Sequence, residues 1–343
     1  MSVKANKLIG TVEVSGKTVS SNRIDWSSQL RDSVTEVDEL LGILQIHPSL
    51  VDIDINSEFG LRVPRPFIEL MVAGDPLDPL LRQVLPLLEE RRAQSGFTVD
   101  PLMEDQFTIA TGIIKKYEGR LLLIAAGACA IHCRYCFRRN FPYDANRLSI
   151  DQQSLEAIRE DESISEVIVS GGDPMMLTDK HFARLLNYLE AIEHVKRFRI
   201  HTRFPVVIPS RLTSEFIDRL AGSRLHTTMV LHVNHPNEVG QDLTKGVKNM
   251  IGKGLIVLNQ SVLLKGVNDD VKVLKRLSER LFEVGILPYY LHMMDPVMGT
   301  QHMVVENEKA LRIYSRLRTS MPGYLVPRLV RENPGEAAKQ WLS

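Results

Sequence analysis

Three cysteines, all that the chain has, fall within eight positions as Cys129-Ala-Ile-His-Cys133-Arg-Tyr-Cys136. Thiolates at C-x3-C-x2-C spacing can wrap one inorganic centre from a single loop. The odd count and tight grouping exclude a secreted disulfide framework, which needs more cysteines, in even number, spread across loops. Structural zinc sites take four protein ligands, usually as two pairs, and His132 points away if its neighbours ligate. A 4Fe-4S cluster with three cysteine ligands leaves one iron open, which suits a centre that must bind something. Three buried, inert cysteines are the bland alternative. Further polar residues stand at the ends of apolar runs: Ser170-Gly-Gly-Asp173-Pro174, His232, Gln260 and Asp295. Alone, a Gly-Gly-Asp-Pro is as often a plain turn.

These residues need a frame. From about residue 120 the pattern predicts strands at Leu121–Ala126, Glu166–Ser170, Arg197–Arg203, Thr227–Val233, Leu255–Leu263 and Leu287–Met293. Amphipathic segments around 152–160, 179–193, 213–221, 241–252 and 270–284 alternate with them, and a helix at about 306–320 follows. Six β–α units with near-continuously apolar strands predict a parallel sheet with helices outside. In a β/α barrel the strand ends that carry these polar residues are where chemistry sits. A doubly wound open sheet gives the same strand pattern, so periodicity leaves both standing. The first hundred residues read as mainly helical. Apolar spacing from Asp25 to Leu44 fits an amphipathic helix, Pro64 and Pro66 break the chain, and Asp75-Pro-Leu-Asp-Pro79 reads as a turn before a helix through Arg92.

The chain has 343 residues, enough for one large domain or a domain with a smaller one appended. Its 42 basic residues balance 42 acidic ones, which excludes a strongly basic nucleic-acid binder. The longest apolar run, Leu121–Ile131, is too short to span a bilayer. Met1–Lys7 leads into polar sequence without the apolar core of a signal peptide. The expectation is a soluble, cytoplasmic protein with neither nucleic acid nor membrane as partner.

The cysteine spacing after a first strand resembles that of the radical S-adenosylmethionine (SAM) superfamily. Lys116-Tyr117 with Arg120, Cys136-Phe-Arg138-Arg139, Asn234-His-Pro-Asn-Glu238, Asn259–Asp269 and Gly323-Tyr-Leu-Val-Pro327 narrow the resemblance to lysine 2,3-aminomutases, and Asp75–Pro86 extends it, over most of residues 60–340. It implies an α/β fold, a partial (β/α)6 radical-SAM barrel at 106–322, with a mainly helical N-terminal extension at 1–105 and a short C-terminal segment at 323–343. It implies an isomerase with a 4Fe-4S cluster on Cys129, Cys133 and Cys136, and with S-adenosyl-L-methionine and pyridoxal 5′-phosphate as further cofactors.

Residue roles follow from the same resemblance. Lys339 matches the Schiff-base lysine, five residues after Pro334. Glu332 stands where the family has Asp, and the family's glycine run survives only as Gly335, before Glu336, Ala337 and Ala338. Arg138 matches the arginine that grips the substrate carboxylate, and Asp295 with Glu332 the acidic pair for the ε-ammonium. Lys116, Tyr117 and Arg120 match contacts to the cofactor phosphate. Gly171, Gly172 and Asp173 match the motif that meets the methionine amine, with the Asp that lysine aminomutases share. His232 and Gln260 fall near the expected adenosine and methionine sites. The chain ends at Ser343 without spare cysteines and is similar to the short bacterial form, which makes (R)-β-lysine for translation elongation factor P. That likeness implies L-lysine as substrate, an external electron donor, a functional link to elongation factor P and its lysyl-tRNA-synthetase-like ligase, and a homo-oligomer. Two rivals stand: a related aminomutase acting on another amino acid, against which the paired acids argue where that side chain is acidic, and a non-catalytic iron–sulfur or zinc-binding regulator, which would need neither Lys339 nor the Gly-Gly-Asp turn.

Overall fold

A computed structural model describes residues 25–142 and 152–343; the reading of Met1–Lys7 lies outside them. Among the described residues ten strands form one sheet in sequence order: β1 Thr108–Ala110, β2 Ile113–Tyr117, β3 Arg120–Ala126, β4 Glu166–Gly171, β5 Arg197–Thr202, β6 His226–His232, β7 Ile256–Val262, β8 Leu287–His292, β9 Arg328–Arg331 and β10 Gln340–Trp341. The first three pair antiparallel, β3 through β9 run parallel, and β10 turns back on β9. The six strands expected from the sequence are β3 to β8, each close to its expected bounds. The short β1, β2, β9 and β10 extend the sheet beyond them.

Helices Gln152–Glu160, Asp179–Glu190, Ser214–Ala221, Gln241–Gly252 and Val271–Glu283 fill the crossovers, and Asn307–Ser320 leads to β9. Their starts are chemically marked. Thr213 Oγ1 accepts the Phe216 amide at 3.1 Å, and Asp270 Oδ1 accepts those of Lys272 at 2.8 Å and Val273 at 3.3 Å. Phe182, Leu185, Leu186 and Leu189 give one helix its buried stripe. That stripe shares one core with alternate strand residues, Leu121 and Leu123, Val167 and Val169, Phe198 and Ile200, Met229 and Leu231, and Phe182 meets Phe198 edge-on at 5.9 Å. The intervening residues point the other way, as the two-residue period of a strand requires. There Ile168, Ser170, His201, His232, Gln260 and His292 line a cavity. The strands are thus apolar toward the helices and largely polar within.

The sheet curls until side chains join its two ends. Lys116 on β2 donates to Glu332, one residue past β9, at 2.7 Å, which makes the structure a partial barrel rather than an open sheet.

The N-terminal region is helical in shorter pieces than the apolar spacing predicts. The helix expected from Asp25 divides into Trp26–Arg31 and Val37–Ile43. Between them buried, β-branched Val34 exchanges backbone hydrogen bonds with Val63 at 2.8 and 2.9 Å. The turn at Asp75–Pro79 forms as expected, with Asp78 Oδ1 accepting the Leu80 and Leu81 amides at 2.8 and 2.9 Å. The helix expected after it is two single turns, Leu81–Gln83 and Leu88–Arg91, because Pro86 lacks the amide that would join them. Among the described residues no helix is long and apolar enough to cross a membrane.

Candidate functional site

The cysteine loop leaves the end of β3 and is clamped by the N-terminal region. Fully buried Arg134 donates to Glu90 at 2.8 and 2.5 Å, to the Phe59 carbonyl at 2.5 Å and to Ser57 at 3.0 Å. His132 pairs Nδ1 with the Gly60 carbonyl at 2.8 Å and stacks on Phe59, so it turns away from the thiols as its position predicts. All three thiols are free and partly buried. Burial, then the charges of neighbouring groups, holds the Cys129 thiol well above its ordinary pKa and pushes Cys136 up to about 11. A metal centre that binds such thiols displaces their protons. Among the described residues no three His, Cys, Asp or Glu side chains form a single-ion site. The cluster assignment rests on the spacing and the shared loop.

The Gly-Gly-Asp turn after β4 lies directly against this loop. Gly172 and Asp173 donate their amides to the carbonyls of Ala126 and Ala128, both at 2.8 Å. A Cβ on Gly172 would stand 2.4 Å from the Ala128 oxygen, and Gly171 has φ +118°. Both glycines are therefore dictated by backbone. Asp173 is buried and already holds four donors: Thr202 Oγ1 at 2.7 Å and the amides of Met175, Arg203 and Phe204 at 2.8–3.0 Å. Burial raises its carboxyl in spite of these bonds. Expected to meet a ligand amine, it here staples the β4 exit to the β5 exit.

Beside the loop the barrel encloses a cavity of about 370 Å³, a size that holds a cofactor and a small substrate. It gathers Lys116, Tyr117, Arg120, Arg138, His232, Gln260, Asp295, Glu332 and Lys339 from residues far apart in sequence. Lys116 and Tyr117 come from β2 and Arg120 from the start of β3, with the Arg120 guanidinium 4.6 Å from the Tyr117 ring centroid. Glu332 accepts from both Lys116 and Lys339. These two cations outweigh its burial and hold its carboxyl at about 2. Asp295 shows the opposite balance: burial, then the Glu332 charge, raises it to about 7 against the pull of Lys339 and Lys116.

Arg138 reaches the cavity in a bidentate pair with Glu104, Nε and Nη2 each 2.7 Å from a carboxylate oxygen, and both side chains are buried. Its Nη1 donates to Ser170 Oγ at 3.3 Å and the Gly171 carbonyl at 3.4 Å. Any further carboxylate at Arg138 shares the guanidinium with Glu104.

Several lining residues escape sequence reasoning. His201, on β5, and His292, on β8, join His232 on the inner face. Burial holds His232 and His292 at about 3 and His201 well below its ordinary value, so all three are neutral. The Nε2 of each is buried without a hydrogen-bond partner among the described residues, which marks them as groups awaiting a polar ligand. Tyr289 and Tyr290 both line the cavity, rings stacked at 3.7 Å, although adjacent strand residues normally face opposite ways. The register between β7 and β8 shifts there, from Asn259↔Pro288 to Gln260↔Tyr290. Pro288 was the available signal, because proline inside a strand marks such irregularities.

Residues 123–277 match the model of the Radical SAM superfamily. The chain is 46% identical to the L-lysine 2,3-aminomutase of Haemophilus influenzae, over 92% of this chain and 94% of that one. It is 45% identical to the L-lysine 2,3-aminomutase of Escherichia coli, over 93% of this chain and 94% of that one. Against the L-lysine 2,3-aminomutase of Clostridium subterminale the identity is 31%, over 92% of this chain and 77% of that one.

Proposed function

Since the chain belongs to the lysine 2,3-aminomutase family of radical SAM enzymes, we propose that it is an isomerase converting L-α-lysine to (R)-β-lysine by moving the amine from carbon 2 to carbon 3. A cysteine-bound 4Fe-4S cluster with S-adenosylmethionine supplies a carbon radical that removes and returns hydrogen, and pyridoxal phosphate carries the migrating nitrogen. The donor set fits these groups: three thiols on one loop, cations at one wall of the cavity, and orphaned imidazole nitrogens at another.

On this reading Cys129, Cys133 and Cys136 hold the cluster, and Lys339 is the covalent attachment point for pyridoxal phosphate. Lys116, Tyr117 and Arg120 take the phosphate. Gly171 and Gly172 let backbone approach on the S-adenosylmethionine side, where His232 and Gln260 add polar contacts and Asp173 fixes the turn. Arg138 takes the substrate carboxylate through the guanidinium edge that faces Ser170, with Glu104 fixing the fork. Glu332, the second acid of the substrate site, accepts from the Lys339 Nζ in the resting cavity. Asp295, neutral below about pH 7, gives up its proton when an ammonium arrives beside it. An uncharged substrate side chain would give Asp295 no cation to ionise against, which is the basis of selectivity for lysine.

The single observation that carries the reading is one cavity holding Arg138, Asp295, Glu332 and Lys339 beside the cysteine loop. Coverage of 94% of the two shorter relatives supports the short-form assignment. With it goes a cytosolic homo-oligomer that takes electrons from an external donor, its product used by a lysyl-tRNA-synthetase-like ligase to modify elongation factor P. The test is anaerobic: reconstitute with iron and sulfide, add pyridoxal phosphate, S-adenosylmethionine, reductant and L-lysine, and separate α- from β-lysine. β-Lysine that requires every component is the expected result. 5′-Deoxyadenosine without β-lysine would overturn the substrate, and neither product from a verified cluster preparation would overturn the enzyme.

A further inference from the structure

Behind the cysteine loop lies a second charged assembly that the proposed chemistry does not use. Arg203 follows β5 and is buried, its guanidinium held from three separate parts of the chain. Nη1 donates to Cys133 Sγ at 2.8 Å and to the Tyr135 hydroxyl. Nη2 donates to Gln83 Oε1 at 2.8 Å, in the N-terminal region, and to Glu238 Oε2 at 3.0 Å, beyond β6. The rings of Phe67 and Tyr135 lie 5.4 Å from the guanidinium carbon. Glu238 is fully buried and fixed in turn, accepting from Gln83 Nε2 at 3.1 Å and from the Asn234 and His235 amides at 2.9 Å. Both charges are buried and held by these bonds.

We propose that Arg203 and Glu238 form a fixed charge pair that sets the reduction potential of the cluster through the Cys133 sulfur; the inference rests on reading Cys133 as a cluster ligand. Adding an electron to a cluster adds negative charge over its thiolates. A cation donating a hydrogen bond to one of those sulfurs stabilises the reduced form more than the oxidised form and raises the potential. Glu238, one residue farther along the same network, opposes part of that effect. Burial keeps both influences strong, since solvent screening is weak there. Arg203 is therefore a positioning and tuning residue. It touches the ligand sulfur, not the reacting atoms.

The opposed signs make the test decisive. The reconstituted full chain, without S-adenosylmethionine, is titrated with dithionite while the paramagnetic signal of the reduced cluster is followed, and iron and sulfide are counted per chain. Arg203→Gln keeps a donor without the charge and should move the potential down by a tenfold change in the reduction equilibrium, about 59 mV for one electron. Glu238→Gln keeps an acceptor and should move it up, with unchanged cluster content. If Arg203→Gln assembles no cluster, the upward shift in Glu238→Gln decides alone. Full cluster content with unmoved potentials, or shifts of the same sign in both variants, would overturn the proposal and leave the cysteine assignment intact. A wild-type chain that binds no cluster would overturn both.

Discussion

Replacing Asp295 with Asn should change how stability and lysine binding depend on pH, and the size of the change is set by where the carboxyl sits. Asp295 follows β8 in the cavity, where burial first and the Glu332 charge second raise its pKa from 3.8 to about 7. A carboxyl raised on folding contributes stability that is complete below its unfolded pKa and is lost as pH rises through the folded one. The whole interval is worth about 4 kcal/mol, at about 1.4 kcal/mol per pH unit. Between pH 5 and pH 8 the wild type should lose roughly 2.5 kcal/mol that the Asn variant keeps.

Substrate reverses the preference. A lysine ammonium beside Asp295 favours the ionised form, so binding must first displace the proton when the pH is below about 7. KM for lysine in the wild type should therefore rise about tenfold from pH 8 to pH 6, and the variant should bind weakly with a flat profile. Denaturant unfolding at pH 5, 6, 7 and 8, with steady-state assays over the upper part of that range, gives both numbers. Parallel stability curves for the two proteins would refute the burial argument. A variant KM that keeps the wild-type pH dependence would refute Asp295 as the group facing the ammonium.

Three further outcomes are open to direct measurement. Gly172→Ala places a methyl against the Ala128 backbone at 2.4 Å, so the cysteine loop must shift; iron content should drop sharply while the circular dichroism of the sheet persists. Lys339→Ala should retain the full cluster but lose the visible absorbance of lysine-bound pyridoxal phosphate and all β-lysine formation, read by spectrum and product analysis. Glu104→Ala leaves Arg138 buried without its bidentate partner; unfolding free energy should fall by about 3–5 kcal/mol, and by clearly less in Glu104→Gln.

The features the sequence disclosed and those it hid divide along the reach of each interaction. Strands β3 to β8 and their helices are legible because short, near-continuously apolar runs alternate with amphipathic segments from residue 120 onward. The cysteine loop is legible because its ligands are neighbours in sequence. The N-terminal helix is misjudged in length because its apolar spacing is real locally, yet the Val34–Val63 bridge, a contact across the region, overrides it. Pairings at long range leave no local trace. Arg138 finds Glu104 across 34 residues and Lys116 finds Glu332 across 216, and nothing in either segment names the partner. Glu332 carries the functional consequence. Its register with a known motif marks it as an acid for a substrate ammonium, but the fold gives it two lysines of its own, and the same carboxylate ties β2 to the strand at the far end of the sheet.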